Sequence, residues 1–290
     1  MKTWVLFDIS ASAHRAKHST GDLSFEGVST GVAFGVLRDL QLVQERFDPY
    51  RVVLAFDAPG RRLRKEILPT YKSSRENKKT VVDRELDAIF YPQLDRLRDD
   101  LLPRLGYRNC VSVAGYEADD IIAQYAQKLP AGDDAVIVSS DQDLWQCLDS
   151  NVVCFNLGLN KITTSKSFYA EWGIDPCQWA HVKALAGCST DDVPGIPGIG
   201  EKSAAGWFSG TLKVGSKKWD LINSCLSMLN QNLPLVKLPF AGLVLPEVKE
   251  DELTEGKRTE ILEELGIRRR RKGGPPKAAA GEVSGVNRLF

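Results

Sequence analysis

Three short runs of consecutive apolar residues in this chain end in aspartate. Thr3–Phe7 is closed by Asp8, Arg51–Phe56 by Asp57, and Ala135–Val138 by Ser139, Ser140 and Asp141. Continuous apolar character rich in β-branched and aromatic residues predicts strands buried on both faces of a parallel sheet. Between them, Val32, Val36, Leu40, Val43 and Phe47 recur at helical spacing and predict a crossover helix over 31–47. Leu86, Ile89, Phe90, Leu94, Leu97 and Leu101 predict an amphipathic helix over 83–105. Further strands are expected at 107–113, 152–155 and, as an edge, 162–164. Helices are expected at 117–129 (Ile121, Ile122 and Tyr125 inward), 144–148, 165–172, 176–186, 219–229 and 254–265, with a Pro-punctuated extended stretch over 233–248. Strands alternating with helices imply an open α/β sheet, whose ligands bind outside the carboxyl ends of the strands.

Those strand ends are acidic. The stretch from Gly115 to Asp143 adds Glu117, Asp119, Asp120, Asp141 and Asp143 around one helix start and one strand end. Like charges held together are unfavourable unless a cation or a proton compensates them. A single strand-end Asp is often only a helix N-cap, but three of them beside the Glu117 group favour a hard-metal site. An all-oxygen, histidine-free set suits Mg²⁺ or Mn²⁺; His14, His18 and His181 read as surface or core residues.

Composition changes this picture little. Of 290 residues, 43% are apolar and 26% charged, and the formal net charge is zero, so any polyanion binding must come from local segregation of charge. Six scattered cysteines without a C-x-x-C pair argue for reduced thiols. The run Trp4–Phe7 is too short for a signal-peptide core, and nothing approaches the about 20 apolar residues of a membrane span. A soluble, cytoplasmic protein, monomeric and away from membranes, is expected. Local segregation does occur: Arg61, Arg62, Arg64, Lys65, Lys72, Arg75, Lys78 and Lys79 crowd a turn-rich stretch after Asp57, an electrostatic footprint for phosphates. Gly198-Ile199-Gly200-Glu201-Lys202-Ser203 has the form of a helix–hairpin–helix turn, whose backbone N–H groups can approach a phosphate closely. The tail from Arg268 is basic and rich in Gly, Pro and Ala, a composition expected to be disordered.

Taken in order, Phe7-Asp8, Ala55-Phe56-Asp57, Arg64 with Tyr71-Lys72-Ser73-Ser74-Arg75, Gly115 through Asp120, Ser140-Asp141-Gln142-Asp143-Leu144 and Asp191 through Ala204 resemble the 5′ nuclease family. This is the flap endonuclease and 5′→3′ exonuclease group, which includes phage enzymes and the N-terminal domain of DNA polymerase I. The resemblance covers roughly residues 1–265, and with no polymerase region it implies a free-standing enzyme. It implies a PIN-like parallel sheet flanked by helices over 1–164, with a helical arch at about 59–100. A helix–three-turn–helix DNA-binding region and C-terminal packing segment would follow over 165–267, then the tail, 268–290. By the same resemblance Asp8, Asp57, Glu117 and Asp119 hold one divalent ion. Asp141, Asp143 and Asp191 hold a second, with Asp120 close by. Lys72 and Arg75 act catalytically on the scissile phosphate; Arg64, Tyr71, Gly198, Gly200, Lys202 and Ser203 bind DNA, the turn also accommodating K⁺. The implied reaction is two-metal-ion hydrolysis of DNA phosphodiesters in replication or repair. Branched or 5′-flapped duplex would be the substrate, and a polymerase or a single-strand binding protein a partner.

One position departs from the pattern. Bacterial and phage relatives usually carry Asp where this chain has Cys188, and a thiol is a poor Mg²⁺ ligand. A weakened or shifted second site is expected, with Asp192 as a candidate substitute ligand. Two other readings stand beside the nuclease: a structure-specific DNA-binding protein with weak or lost catalysis, and a PIN-type ribonuclease.

Overall fold

The computed structural model describes residues 2–60 and 62–267. Arg61 of the basic stretch and the tail expected over 268–290 lie outside the described residues. The chain begins with β1 (Thr3–Asp8), α1 (Ile9–Ser19), a small hairpin of β2 (Ser24–Phe25) and β3 (Val28–Ser29), and the crossover helix α2 (Gly31–Phe47). It continues with β4 (Arg51–Ala55), then the helices α3 (Arg64–Ile67), α4 (Ser73–Asn77), α5 (Val81–Arg96) and α6 (Leu102–Leu105). Next come β5 (Cys110–Val111), α7 (Ala118–Gln127), β6 (Asp134–Val138), β7 (Val152–Asn156) and β8 (Lys161–Thr163). The remainder is helical: α8 (Ser165–Trp172), α9 (Trp179–Ala186), α10 (Glu201–Phe208), α11 (Lys217–Ser224), α12 (Ser227–Val236) and α13 (Glu255–Glu264).

The six-stranded sheet has the order β5-β4-β1-β6-β7-β8. Every pairing is parallel except β7 with β8. The expected parallel sheet therefore has one antiparallel edge, because residues 157–160 are too few for a crossover and suffice only for a hairpin. The chain leaves β1 towards β4 on one side and reaches β6 on the other, so β1 lies at a switch point, where a crevice opens outside the strand ends. The register brings Asp8 level with Ala55, and Phe7 level with Val138, so Asp8, Asp57 and Ser139–Asp141 arrive at one rim.

Both faces of the sheet are covered. Val5, Phe7, Leu54 and Val136 pack with α1, α2, α5 and α13. Leu6, Val53 and Ile137 pack with Ile121 and Ile122 of α7, Trp179 and Val182 of α9, and Ala204 of α10. Fully burying one such aliphatic side chain contributes about 1.5–3 kcal/mol. Buried residues from both sides of position 164 share the second of these clusters.

Several elements differ from expectation for physical reasons. Helix α1 has no large apolar stripe; its buried face is Ile9, Ser10, Ser12, Ala13 and Ala16. Small residues there permit a close crossing with α2, and a Cβ on Gly35 would come within 2.4 Å of Ala16 Cβ. The helix expected over 83–105 is α5, carrying Pro92, then a π-helical turn at Leu97–Leu101, then α6. The expected helix 219–229 is two helices that part at Cys225–Leu226, and α12 runs through Pro234 into the stretch read as extended.

Candidate active site

Each acidic side chain at the rim is fixed by backbone geometry. Asp8 is the N-cap of α1: its Oδ1 accepts from Ala11 N at 2.9 Å, while its Oδ2 accepts from Ser139 Oγ at 2.9 Å. The N-cap reading and the site reading therefore both hold for this one side chain. Asp57 Oδ1 accepts from Ala118 N at 2.9 Å, tying the end of β4 to the first turn of α7. Glu117 is the N-cap of α7, which aims Asp119 and Asp120 from the first turn in different directions. Asp141 caps a short 3₁₀ turn by accepting from Asp143 N at 2.8 Å.

The charges on Asp8, Asp119 and Asp141 compete. Burial, and then the neighbouring Asp57 charge, push the Asp8 carboxyl up to about 7 against the hydrogen bonds from Ala11 and Ser139. Burial, with Asp141 and Asp8 nearby, raises Asp119 well above the usual carboxylate range. Asp143 is pushed up to about 6 by burial and by Asp141, partly offset by Lys183. Such a set releases free energy when a cation enters it. The donors of Asp8, Asp57, Asp119 and Asp141 are all carboxylate oxygens, the ligand chemistry that hard divalent ions take.

Glu117 lies in the opposite environment. Burial alone would raise it, but Lys72, Arg64 and Arg62 outweigh burial and hold the carboxyl at about 2. Lys72 Nζ and Arg62 Nε each donate to Oε1 at 2.5 Å, and Tyr71 OH donates to Oε2 at 2.8 Å. Lys72 adopts a left-handed backbone (φ 54°) and donates its own N–H to the Asp191 carbonyl at 3.0 Å. Its ammonium lies 3.7 Å from Asp191 Oδ1, which Arg75 also reaches at 2.6 Å. Lys72 thus bridges Glu117 and Asp191, and Arg75 holds Asp191 alone.

Three residues assigned by resemblance are turned elsewhere. Arg64 is 2% exposed, with Nε on the Leu235 carbonyl at 2.8 Å and both terminal nitrogens on Asp120, so it has no face for DNA. Tyr71 is equally buried, its hydroxyl between Glu117 and Asp191 (3.2 Å), and likewise offers no surface to a nucleic acid. Asp120 is wholly buried; besides Arg64 it accepts from Phe240 N at 2.7 Å and Glu117 N at 3.1 Å, so both its oxygens are already engaged. Asp192, the expected substitute ligand, accepts from Ser74 N at 2.7 Å at the start of α4 instead.

The remaining acids meet at a second corner. Ligand atoms of Asp143, Cys188 and Asp191 lie within 4.8 Å of one another, the one such group among the described residues. Lys183, which no pattern in the sequence singled out, stands 2.9 Å from Asp143 Oδ1 and donates to Glu201 Oε1 at 3.0 Å. Burial would lower its pKa, but Asp143 and Glu201 raise it. Arg62, read only as part of the basic stretch, and Ser139, read only as the end of a strand, also reach the site; their hydrogen bonds cross 55 and 131 residues of sequence.

About the Gly198–Gly200 turn, Gly198 has φ 82° and Gly200 is the N-cap of α10. Lys202 is exposed there, and Lys218 Nζ donates to Ser203 Oγ at 2.8 Å from α11, so two lysines stand at one helix start.

The family model for the 5′-3′ exonuclease N-terminal, resolvase-like domain matches residues 3–173. The 5′-3′ exonuclease of Bacillus subtilis (strain 168) is 33% identical over 193 residues, covering 65% of this chain and 62% of the relative. DNA polymerase I of Rhizobium leguminosarum is 33% identical over 210 residues, 69% of this chain but 20% of the polymerase. The chain therefore spans less than two thirds of the length of these relatives. Among solved structures, T5 5′-exonuclease with bound zinc superposes with TM-score 0.70 at 23% identity, covering 82% of this chain and 90% of that one. Human GEN1 in complex with Holliday junction DNA superposes with TM-score 0.55 at 16% identity, covering 91% of this chain and 68% of that one. At these identities the structural likeness is one of fold, a mostly parallel sheet flanked by helices.

Proposed function

The chain belongs to the 5′-3′ exonuclease family of N-terminal, resolvase-like domains, and from that membership we propose that it is a divalent-metal-dependent 5′ nuclease acting on branched or 5′-flapped DNA. The observation that carries the reading is the gathering of Asp8, Asp57, Asp119 and Asp141 about a strand-end switch point, where burial and then neighbouring carboxylates raise Asp8 and Asp119. Divalent ions bound there would supply Lewis-acid stabilisation of phosphodiester oxygens and a lowered pKa for water.

The protein's own groups account for the rest. Asp8 and Asp57 are held by Ala11, Ser139 and Ala118, so their geometry is set before any ligand arrives. Lys72 lies between Glu117 and Asp191 and Arg75 lies beside Asp191, where a phosphate placed across the rim would take both cations from these acids. Lys202 and Lys218, at the N-terminal end of α10, form a phosphate contact for the duplex portion. Arg64 and Asp120 stay buried and support the site from behind. A second reading, duplex binding with weak catalysis, is favoured by Cys188 standing in the second corner.

The test incubates labelled 5′-flap DNA, blunt duplex and single-stranded RNA with Mg²⁺, with Mn²⁺ and with chelator. Flap cleavage that needs the metal supports the nuclease. Flap binding without cleavage in either metal supports the second reading, and cleavage confined to RNA would reject both.

A further inference from the structure

The second corner does not have the donor set of a hard-ion site. Asp143, Cys188 and Asp191 come from three positions that the fold locks together. Asp143 follows the capped turn after β6, where Asp141 accepts its N–H. Cys188 pairs with Val193 in an antiparallel bridge, its N–H donating to the Val193 carbonyl and its carbonyl accepting from Val193 N, both at 3.0 Å. Asp191 N also donates to the Cys188 carbonyl at 3.1 Å, closing a tight turn between the two residues.

The backbone around this turn allows little adjustment. A Cβ on Gly195 would come 2.0 Å from the Ala186 carbonyl oxygen, and one on Gly187 would come 2.4 Å from Gly195 N. The turn is therefore pressed against the end of α9, which fixes where the Cys188 Cα stands relative to Asp191. Asp143 Oδ1 is a buried atom with no hydrogen bond of its own, held by the Lys183 charge 2.9 Å away. Cys188 Sγ has one polar neighbour, Thr190 Oγ1 at 3.1 Å. Two carboxylates and a thiol thus converge within 4.8 Å. One sulfur with two oxygens is a set that Zn²⁺ or Co²⁺ accepts and Mg²⁺ does not.

We propose that Asp143, Cys188 and Asp191 form a thiolate-containing divalent site selective for borderline-soft ions such as Zn²⁺ over Mg²⁺, beside the all-carboxylate corner of Asp8, Asp57 and Asp119. The inference rests on reading this rim as a divalent-ion site and names the ion class its second half takes. Binding exchanges the Cys188 S–H proton for the ion: one S–metal bond forms, one proton leaves to solvent, and no electron is transferred. The two corners then answer to different ions, so the protein's response to Zn²⁺ and to Mg²⁺ is separable by one side chain.

Cobalt titration of the full chain tests this by spectroscopy. Co²⁺ is expected to produce a near-ultraviolet sulfur-to-cobalt charge-transfer band and to release a proton. Equimolar Zn²⁺ should remove the band, while Mg²⁺ in about 100-fold excess should leave it. Cys188→Ser should abolish the band. Cys188→Asp should abolish it too and weaken Zn²⁺ binding by about tenfold or more, the scale of losses seen even for outer-shell groups. No band in the unmodified protein, a band that survives Cys188→Ser, or displacement of cobalt by Mg²⁺ would each overturn the proposal. If Mg²⁺-dependent flap cleavage is present and the band is absent, only this proposal fails. If no divalent ion binds and no flap is cut, the nuclease reading fails with it.

Discussion

Arg64 and Asp120 face each other in a two-pronged ion pair: NH1 meets Oδ2 at 2.7 Å and NH2 meets Oδ1 at 2.8 Å. Both side chains are buried, at 3% and 0% exposure, and Arg64 also donates to the Leu235 carbonyl. The pair joins the basic stretch, the acidic helix and the end of α12. Removing one partner of a buried pair leaves an uncompensated charge, which destabilises by about 3–5 kcal/mol. Arg64→Ala should lower unfolding stability by that order in denaturant titration, and Arg64→Ala/Asp120→Ala should be less destabilised than the sum of the two single variants. If Arg64→Ala weakens DNA binding with stability unchanged, the structural role assigned to Arg64 is wrong.

The strand-end aspartates were legible because two signals coincide in them. Each apolar run fixes a strand, and the first polar residue after it must lie at the rim, so Asp8 and Asp57 could be placed from pattern alone. Lys72 and Arg75 were legible as members of a basic stretch and through the family resemblance, not from any partner; Glu117 and Asp191 lie 45 and 116 residues away. Arg64 shows where charge misleads: in sequence it is one more cation, and only tertiary packing turns it inward. Lys183 carried no signal, since one lysine on an otherwise apolar helix reads as solvent-facing. Helix α1 escaped because a buried face of Ser and Ala has no hydrophobic period.

In chelator, stability should fall as pH rises from about 4 to about 7, a reversal of ordinary acid denaturation. Asp8 has its pKa raised from 3.8 to about 7 in the folded protein. A raised folded pKa contributes stability that is present below the unfolded pKa and lost as pH climbs through the folded one. Asp143, raised to about 6, acts in the same direction. Each pKa unit corresponds to about 1.4 kcal/mol, so the fall should amount to a few kcal/mol. Glu117, lowered to about 2, acts oppositely: its contribution is present above 4.5 and disappears as pH drops through about 2. Thermal unfolding across this range with chelator, and again with excess Mn²⁺, measures the effect. A midpoint that rises with pH in chelator would contradict it.

Lys202 and Lys218 should act on affinity and leave the chemistry untouched. Both are exposed at the start of α10, Lys218 through its bond to Ser203. Removing either ammonium from a phosphate should lower the slope of log affinity against log salt by about 1. Lys202→Ala and Lys218→Ala should therefore weaken duplex binding evenly across sequences, with the single-turnover rate at saturation unchanged. An unchanged salt slope in both variants would move the duplex-binding surface elsewhere.

Asp57 separates a ligand's role from a structural one. Its Oδ1 accepts from Ala118 N at 2.9 Å, so it holds the first turn of α7 as well as contributing charge to the rim. Asn keeps an oxygen acceptor at the same place and removes the charge; Ala removes both. Losing the hydrogen bond should lower stability by about 1 kcal/mol, the usual effect of removing a helix cap, so Asp57→Ala should be the less stable variant and Asp57→Asn close to the parent. Both should lose flap cleavage by about 100-fold or more, the scale on which single electrostatic groups at such sites act, while flap binding in chelator persists. Cleavage that survives Asp57→Asn but falls with Asp57→Ala would mean that the side chain serves the helix alone and that the divalent ion is held by the other acids.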